Sequence, residues 1–302
     1  MEMKQESPLV SFCLTSKNVA RDIGHMLQSI IDLHWPNKEI VVIDESDDET
    51  PEIVARFAAR CGYIRLFRLE GGRGLGFARQ FALERARGSV VAFMDADAWI
   101  STPYWVERML TRLDATGAGG AFSGRLAQNR NSALARYWST TFRRQAGRLY
   151  SRPGAGNILV RRDIIETSGA RFDPRLKINE DFGFFLQISA AGFRFAYEPD
   201  AAIEQIQPGT LAEILSKRIG YAKWNAIRLR LEGSASAFFA RACLRCLFFP
   251  AATVHALIQA LHWRAETGDS AVFWHVPVET IMSFIYPFLA ARYAFGPPPE
   301  VR

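Results

Sequence analysis

Several familiar signatures are missing from this 302-residue chain, and each absence removes a class of function. No Gly-Lys-Ser or Gly-Lys-Thr occurs, which disfavours a P-loop enzyme. The first strand-like run is followed by Thr15-Ser16-Lys17-Asn18, where a dinucleotide-binding fold wants its glycines; Gly71-Gly72-Arg73-Gly74-Leu75-Gly76 comes two strand–helix units too late. The four cysteines show no paired metal spacing, and Cys243 and Cys246, three apart on an apolar stretch, read as packing rather than zinc. Met1 to Pro8 is polar, so the expectation is a chain with no secretory leader and a cytosolic catalytic portion. Bases exceed acids to give a formal charge of +6, mostly from arginine. That balance suits nucleic acid, anionic lipid or phosphorylated substrates, and composition does not choose among them.

What is present is organised around Ser89-Val90-Val91-Ala92-Phe93-Met94-Asp95-Ala96-Asp97, an apolar run ending in two acids. Such a run reads as a strand buried on both faces in a parallel sheet. Ligands gather at the carboxyl ends of strands in open α/β sheets, where paired carboxylates suit a hard divalent cation and a diphosphate. Read alone, Asp-Ala-Asp serves equally as a solvated turn, with Asp97 or Ser101 capping a helix near Pro103.

Strand and helix signals alternate up to residue 115, which predicts a mostly parallel sheet flanked by helices. Val10–Leu14 is a strand, a helix follows from Asp22, and Glu39–Ile43 is a second strand running into Asp44-Glu45-Ser46-Asp47-Asp48-Glu49. Thr50-Pro51 starts another helix as N-cap and first residue, and Gly62 closes it. Tyr63–Leu69 is a third strand, and Phe77–Ala86 a helix. Beyond Gly119-Gly120 come a strand at Ala121–Arg125, an arginine-rich segment holding Tyr137 and Trp138, a strand at Ile158–Val160, the pair Glu180-Asp181 before a helix, and a final strand at Phe193–Tyr197.

Over about Leu9 to Trp224 this ordered set resembles the family 2 glycosyltransferases, inverting enzymes with a GT-A fold that use a nucleotide-diphosphate sugar. Val10–Asn18 is similar to the family's opening strand and loop, with Thr15 in place of its usual proline. Ile43–Thr50 is similar to its acidic loop, Ala78-Arg79-Gln80 to its Ala-Arg-Asn, Asp95-Ala96-Asp97 to its metal-binding D-x-D, and Glu180-Asp181 to its later acidic pair. The resemblance implies Thr15, Ser16, Asn18, Asp44, Glu45, Arg79 and Asp95 at the nucleotide sugar, Asp97 with Asp95 at Mg²⁺ or Mn²⁺, and Asp181 as catalytic base oriented by Glu180. Gly156, Asn157 and Trp224 are placed on the acceptor side. The family's histidine after the last strand is replaced near Glu204-Gln205, and its processive Q-x-x-R-W signature is reduced to Gly220-Tyr221-Ala222-Lys223-Trp224, so one sugar per encounter is expected. The implied partners are a nucleotide-diphosphate sugar and a lipid-linked or saccharide acceptor, with no nucleic acid. The competing readings are a nucleotidyltransferase, which lacks its Gly-rich loop here, and a catalytically silent membrane-docking scaffold.

Two domains are expected, residues 1–232 and an apolar helical region over 233–302. Cys246–Trp263 and Ala271–Phe295 approach the roughly 20 residues that cross a bilayer, although Pro250, Pro277 and three histidines interrupt them. Arg228, Arg230, Arg241 and Arg245 precede the first run and Arg292 and Arg302 close the second, a bias that suits a two-helix hairpin with both ends on the cytoplasmic face; the competing pictures are helices lying in the membrane interface, or packed on the catalytic domain as a dimer surface.

Overall fold

The structure, a computed structural model, describes residues 7–295; Met1 to Glu6 and the expected flanking Arg302 lie outside them. In chain order the elements are β1 (Val10–Ser16), α1 (Ile23–Ile31), β2 (Lys38–Asp44), α2 (Thr50–Arg60), β3 (Ile64–Arg68), α3 (Leu75–Arg85), β4 (Val90–Asp95), β5 (Ala98–Ile100), α4 (Trp105–Thr116), β6 (Gly120–Ala127) and α5 (Ala133–Thr140). There follow β7 (Leu149–Tyr150), β8 (Asn157–Arg161), α6 (Arg162–Ser168), α7 (Glu180–Ala190), β9 (Phe195–Gln205), α8 (Leu211–Leu231), α9 (Ala235–Leu247), α10 (Phe249–Thr267) and α11 (His275–Ala290).

The chain divides into two compact units. The first holds residues up to Leu126 together with Arg143–Gln205; the second holds Ala127–Phe142 and the chain from Ile206. The sequence-based boundary at residue 232 lies within the second unit, between α8 and α9.

In the first unit a nine-stranded sheet runs in the order β3-β2-β1-β4-β8-β6-β9-β5, with β7 on β9. The first four strands pair in parallel, as alternating strands and helices require, and pairing turns antiparallel from β8 onward. Register is set by runs buried on both faces: Phe12, Leu14, Ile40, Val42, Ala92 and Met94 point into one core with α1 and α4, while Cys13, Val41, Ile43, Val91 and Phe93 point into the other with α3 and α7. Phe172 stacks on Phe184 at 4.0 Å between ring centroids and Phe93 meets both edge-on, which fastens the segment before α7 to the centre of the sheet. Thr15 and Asp95 lie level and Asp44 one residue further along, because β1 pairs Thr15 with Ile43 and Asp95, and Ser16 with Asp44.

Two details depart from the expected elements. Ala98–Ile100 forms the short strand β5 against Ile203–Gln205, where a turn into a helix was expected; both neighbouring apolar side chains, Ala98 and Ile100, are buried. The last strand continues from Phe195 to Gln205, well past Tyr197, because Ala201 and Ile203 keep alternating into the core beyond the polar Glu198-Pro199-Asp200.

In the second unit α8 opens with a complete capping box, Thr210 to Glu213, and its apolar face joins Tyr137 and Trp138 of α5 and Val278 and Met282 of α11 in a small core. The first expected span is broken at Phe248, where α9 and α10 meet at 86°. Pro250, lacking an N–H, ends one helix and fits the first turn of the next. The second run begins as a 3₁₀ turn at Ser270–Trp274, continues as α11 and ends in a π turn at Ala291–Phe295; by length and hydropathy Ser270–Tyr293 is long and apolar enough to cross a membrane.

Candidate active site

The site forms at the carboxyl ends of β1, β2 and β4, where helices cannot cover the strand tips and the chain must turn away. Asp95 is the last residue of β4. Its Oδ1 accepts from Arg79 Nη2 at 2.9 Å, and its Oδ2 is 2.9 Å from Arg125 Nη2. Arg79 is 6 % exposed on α3, and its other nitrogen is ion-paired to Glu180, which is 1 % exposed at the start of α7. Arg125 Nη1 donates to Gln205 Oε1 at 3.1 Å, and Gln205 Nε2 donates to Asp97 Oδ1 at 2.7 Å. A continuous line of polar contacts therefore runs Glu180–Arg79–Asp95–Arg125–Gln205–Asp97, joining five separate elements of the chain.

Asp181 lies next to this line, half-buried, its Oδ2 accepting from the Ala155 amide at 3.1 Å. Charge decides which of the two adjacent acids is held and which can work. Burial pushes the Glu180 carboxyl up to about 7 against the pull of Arg79, with Asp181 and Asp95 adding to the rise. Glu180 is thus locked to a guanidinium, whereas Asp181 rests on one backbone N–H beside a glycine.

Close approach explains the glycines here. A Cβ on Gly156 would fall 1.9 Å from Arg125 Nη2 and 2.2 Å from Asp95 Oδ2, so only hydrogen leaves room for that ion pair. A Cβ on Gly76 would fall 2.1 Å from the Asp173 carbonyl oxygen, and the Gly76 amide donates to the Leu176 carbonyl at 2.9 Å. The start of α3 and the segment leading to Glu180 therefore touch backbone to backbone.

On the β2 side, Asp44 is fully buried and saturated. Its Oδ1 accepts from Ser16 Oγ at 2.7 Å and Ser46 Oγ at 2.6 Å; its Oδ2 accepts from the Ser46 amide at 3.2 Å and pairs with Arg68 at 3.2 Å. Glu45 differs: Oε2 takes the Gly74 amide at 3.3 Å, while Oε1 is buried with no hydrogen-bond partner among the described residues. A buried carboxylate oxygen in that state costs free energy unless a ligand donor meets it. Asn18, at φ +53°, is occupied within the loops, its amide donating to Ser46 Oγ at 2.8 Å and its Oδ1 accepting from the Asp47 amide at 2.8 Å. Thr15 is buried level with Asp95. Asn157 is buried too, and its side chain donates to the Ser123 and Gly124 carbonyls at 2.6 and 3.1 Å. Trp224 belongs to the other unit, on α8, with Lys223 Nζ 5.7 Å from its ring centroid.

The network thus gathers Arg79, Asp95, Asp97, Glu180 and Asp181 with Gly156, and sets Asp44, Ser16 and Asn18 in a bracing role around Glu45. Arg125 was missed by sequence reasoning. Its one signal was a base inside the apolar run Ala121–Ala127, a position that burial makes costly unless an acid faces it. Gln205 stands where a histidine was looked for, and its amide serves Asp97 and Arg125 together.

Among the described residues no group of three or more His, Cys, Asp or Glu is placed to hold a metal. Both oxygens of Asp95 are engaged by guanidinium groups, and the Asp97 carboxylate, whose Oδ1 accepts from Gln205, is a hard oxygen donor in the same line of contacts. One carboxylate with the remaining positions filled by water and phosphate oxygens is how Mg²⁺-like ions are commonly held, so the residues fit such a cation provided a diphosphate comes with it.

Comparison with known proteins bears on the family and the fold. The family described as "Glycosyl transferase family 2" matches residues 11–174. The succinoglycan biosynthesis protein ExoO of Rhizobium meliloti is 31% identical over 229 residues, covering 69% of this chain and 64% of that protein, so the chain spans less than two thirds of that relative. Glycosyltransferase AglE of Haloferax volcanii is 25% identical over 291 residues, covering 91% and 92%. In fold, the chain is similar to a mannosyltransferase of Pyrobaculum calidifontis solved with GDP-Man and Mn²⁺ (TM-score 0.58, 20% identity, 93% and 88% covered). It is likewise similar to residues 1–349 of S. aureus TarS solved with UDP-GlcNAc (TM-score 0.56, 16% identity, 95% and 92% covered). With a family match over more than half its length and acids gathered at the strand tips of a GT-A sheet, this chain belongs to glycosyl transferase family 2.

Proposed function

We propose that the chain transfers one sugar from a nucleoside-diphosphate sugar to an acceptor hydroxyl on a lipid-linked or saccharide acceptor, with inversion, at the cytoplasmic membrane face. The observation that supports this reading is the contact line that runs from Glu180, the chain neighbour of the candidate base Asp181, to the candidate cation ligand Asp97.

Each residue has a physical task. Asp97, oriented by Gln205, holds Mg²⁺ or Mn²⁺, which when bound neutralises diphosphate charge. The Glu45 Oε1 oxygen accepts from a donor group of the nucleotide, and Asp44, Ser16 and Asn18 keep that loop in place. Asp181 takes the proton of the acceptor hydroxyl; the oxygen forms a bond to the anomeric carbon while the bond to the diphosphate breaks, and the electron pair leaves with the nucleoside diphosphate. Arg79 fixes Glu180 and Asp95, so the base lies at a set position relative to the cation ligand. The reduced Q-x-x-R-W pattern supports single transfer, and the name of the Rhizobium relative, a succinoglycan biosynthesis protein, supports a glycan product.

The test is a thermal-shift titration of the full chain with Mn²⁺ and with UDP or GDP. Stabilisation by a nucleoside diphosphate that requires the metal is expected. A chain that responds to neither nucleotide in the presence of Mn²⁺ is a scaffold, and the reading fails.

A further inference from the structure

The second unit has a surface that its own core does not use. On α10, Val254, Leu257, Ile258 and Leu261 recur at i, i+3, i+4 and i+7 and are 56, 42, 60 and 52 % exposed, while Ala256 and Ala260 face inward. The stripe continues through the elbow: Leu244, Leu247, Phe248 and Phe249 are all exposed, and Phe249 lies 5.1 Å from the Phe284 ring, beyond which Phe288 is 77 % exposed. From Cys246 to Trp263 no Asp, Glu, Lys or Arg interrupts it. Isolated apolar side chains on a surface need no explanation, but a contiguous face of this size marks an interaction site.

Charge identifies the partner. Among described residues Lys and Arg outnumber Asp and Glu by 11 to 5 in this unit, against 24 to 23 in the other, so the excess positive charge of the chain is concentrated on the unit that carries the apolar face. An apolar stripe on a unit with a net excess of bases complements an anionic lipid bilayer.

Packing decides how the bilayer is met. Although α11 is apolar enough to span, its inner face holds Glu279, buried and ion-paired to Arg218 of α8 and Arg245 of α9, with Ser283 accepting from Arg245 at 3.1 Å. α11 packs along α8, whose 21 residues include Glu213, Lys217, Arg218, Lys223, Arg228 and Arg230, Glu213 and Lys217 being exposed. A spanning α11 would carry those charges into hydrocarbon, where they are strongly disfavoured. Two helices meeting at 86° define a plane, and their shared apolar face suits the boundary between headgroups and acyl chains.

The geometry points to in-plane docking: the α9–α10 elbow seats this chain on an anionic bilayer without crossing it. This deepens the membrane part of the proposed function and is independent of the transfer chemistry. The test uses the full chain with vesicles of phosphatidylcholine alone or mixed with phosphatidylglycerol. Binding to the mixed vesicles is expected, weakened at least tenfold by Leu247→Glu with Ile258→Glu. Depth is read from a fluorophore on Leu247→Cys, Ile258→Cys or Phe288→Cys, in a background with Cys61, Cys243 and Cys246 changed to Ser, quenched by brominated lipid. All three labels at one shallow depth of about 5–10 Å support the proposal. Graded depths reaching the bilayer centre mean a span and overturn it, as does failure to bind vesicles. Self-association lost in the Glu variants, without vesicle binding, assigns the face to a second copy instead. Nucleotide-dependent stabilisation, measured on the same variants, separates the two readings: docking lost with stabilisation intact leaves the transfer reading standing, and the reverse leaves docking standing.

Discussion

Arg79 and Glu180, 101 positions apart in the chain, form an ion pair buried on both sides. Neither side chain reaches bulk water, so each compensates the other for lost hydration. Arg79→Met leaves an uncompensated carboxylate and is expected to cost about 3–5 kcal/mol of stability by urea unfolding, whereas Arg79→Lys retains part of it.

The same pair carries a pH signature. Glu180 titrates near 7 in the folded chain, above its ordinary 4.5, because it is buried. A raised carboxyl pKa means that the folded state binds more protons, so the contribution of Glu180 to stability is complete below about 4.5 and is lost as pH rises through about 7. Glu180→Gln, which cannot ionise, is expected to remove that component from a stability profile taken between pH 4.5 and 8; an unchanged slope would show that Glu180 stays ionised throughout.

Division of labour between the acids gives a third expectation. Asp97→Ala is expected to abolish metal-dependent stabilisation by nucleoside diphosphates. Asp181→Asn is expected to keep that stabilisation and lose turnover by about 10²–10⁴-fold, the usual contribution of a general base. Equal loss of nucleotide binding in both variants would refute the division.

Asp44 and Glu45, neighbours in one loop, are expected to behave oppositely. Asp44→Ala breaks contacts to Ser16, Ser46 and Arg68 and is expected to cost about 1–3 kcal/mol of stability. Glu45→Gln removes a charge whose buried Oε1 has no hydrogen-bond partner among the described residues, so stability holds or rises while nucleotide affinity falls about tenfold or more, as read by calorimetry. A stability loss in Glu45→Gln as large as that of Asp44→Ala would place Glu45 among the bracing residues.

Much of this site was legible from residue order because its acids end apolar strands. Val90–Met94 could only be an interior strand, and the chain leaves the sheet at Asp95, so a carboxylate at the strand tip followed from local chemistry. The parallel half of the sheet was legible for the same reason. In the antiparallel half β6, β8 and the start of β9 were legible as strands, but β5 is three residues long and was not, and β9 looks interrupted by Glu198-Pro199-Asp200 yet continues to Gln205. Arg125 and Gln205, the links between Asp95 and Asp97, come from β6 and β9, and nothing local to either residue announces an acid 30 or 108 positions away. The union of Ala127–Phe142 with the tail was equally hidden, since Arg136 meets Asp269 only after 133 intervening steps of chain.

Gly76 has no reactive atom, yet its contact with the Asp173 carbonyl sets the spacing between one helix and the stretch that delivers both acids of α7. Any larger residue there would wedge the two apart and carry Glu180 and Asp181 with it. A survey of inactivating lesions should therefore turn up this silent position beside the carboxylates, and a catalogue restricted to chemically capable side chains would overlook it.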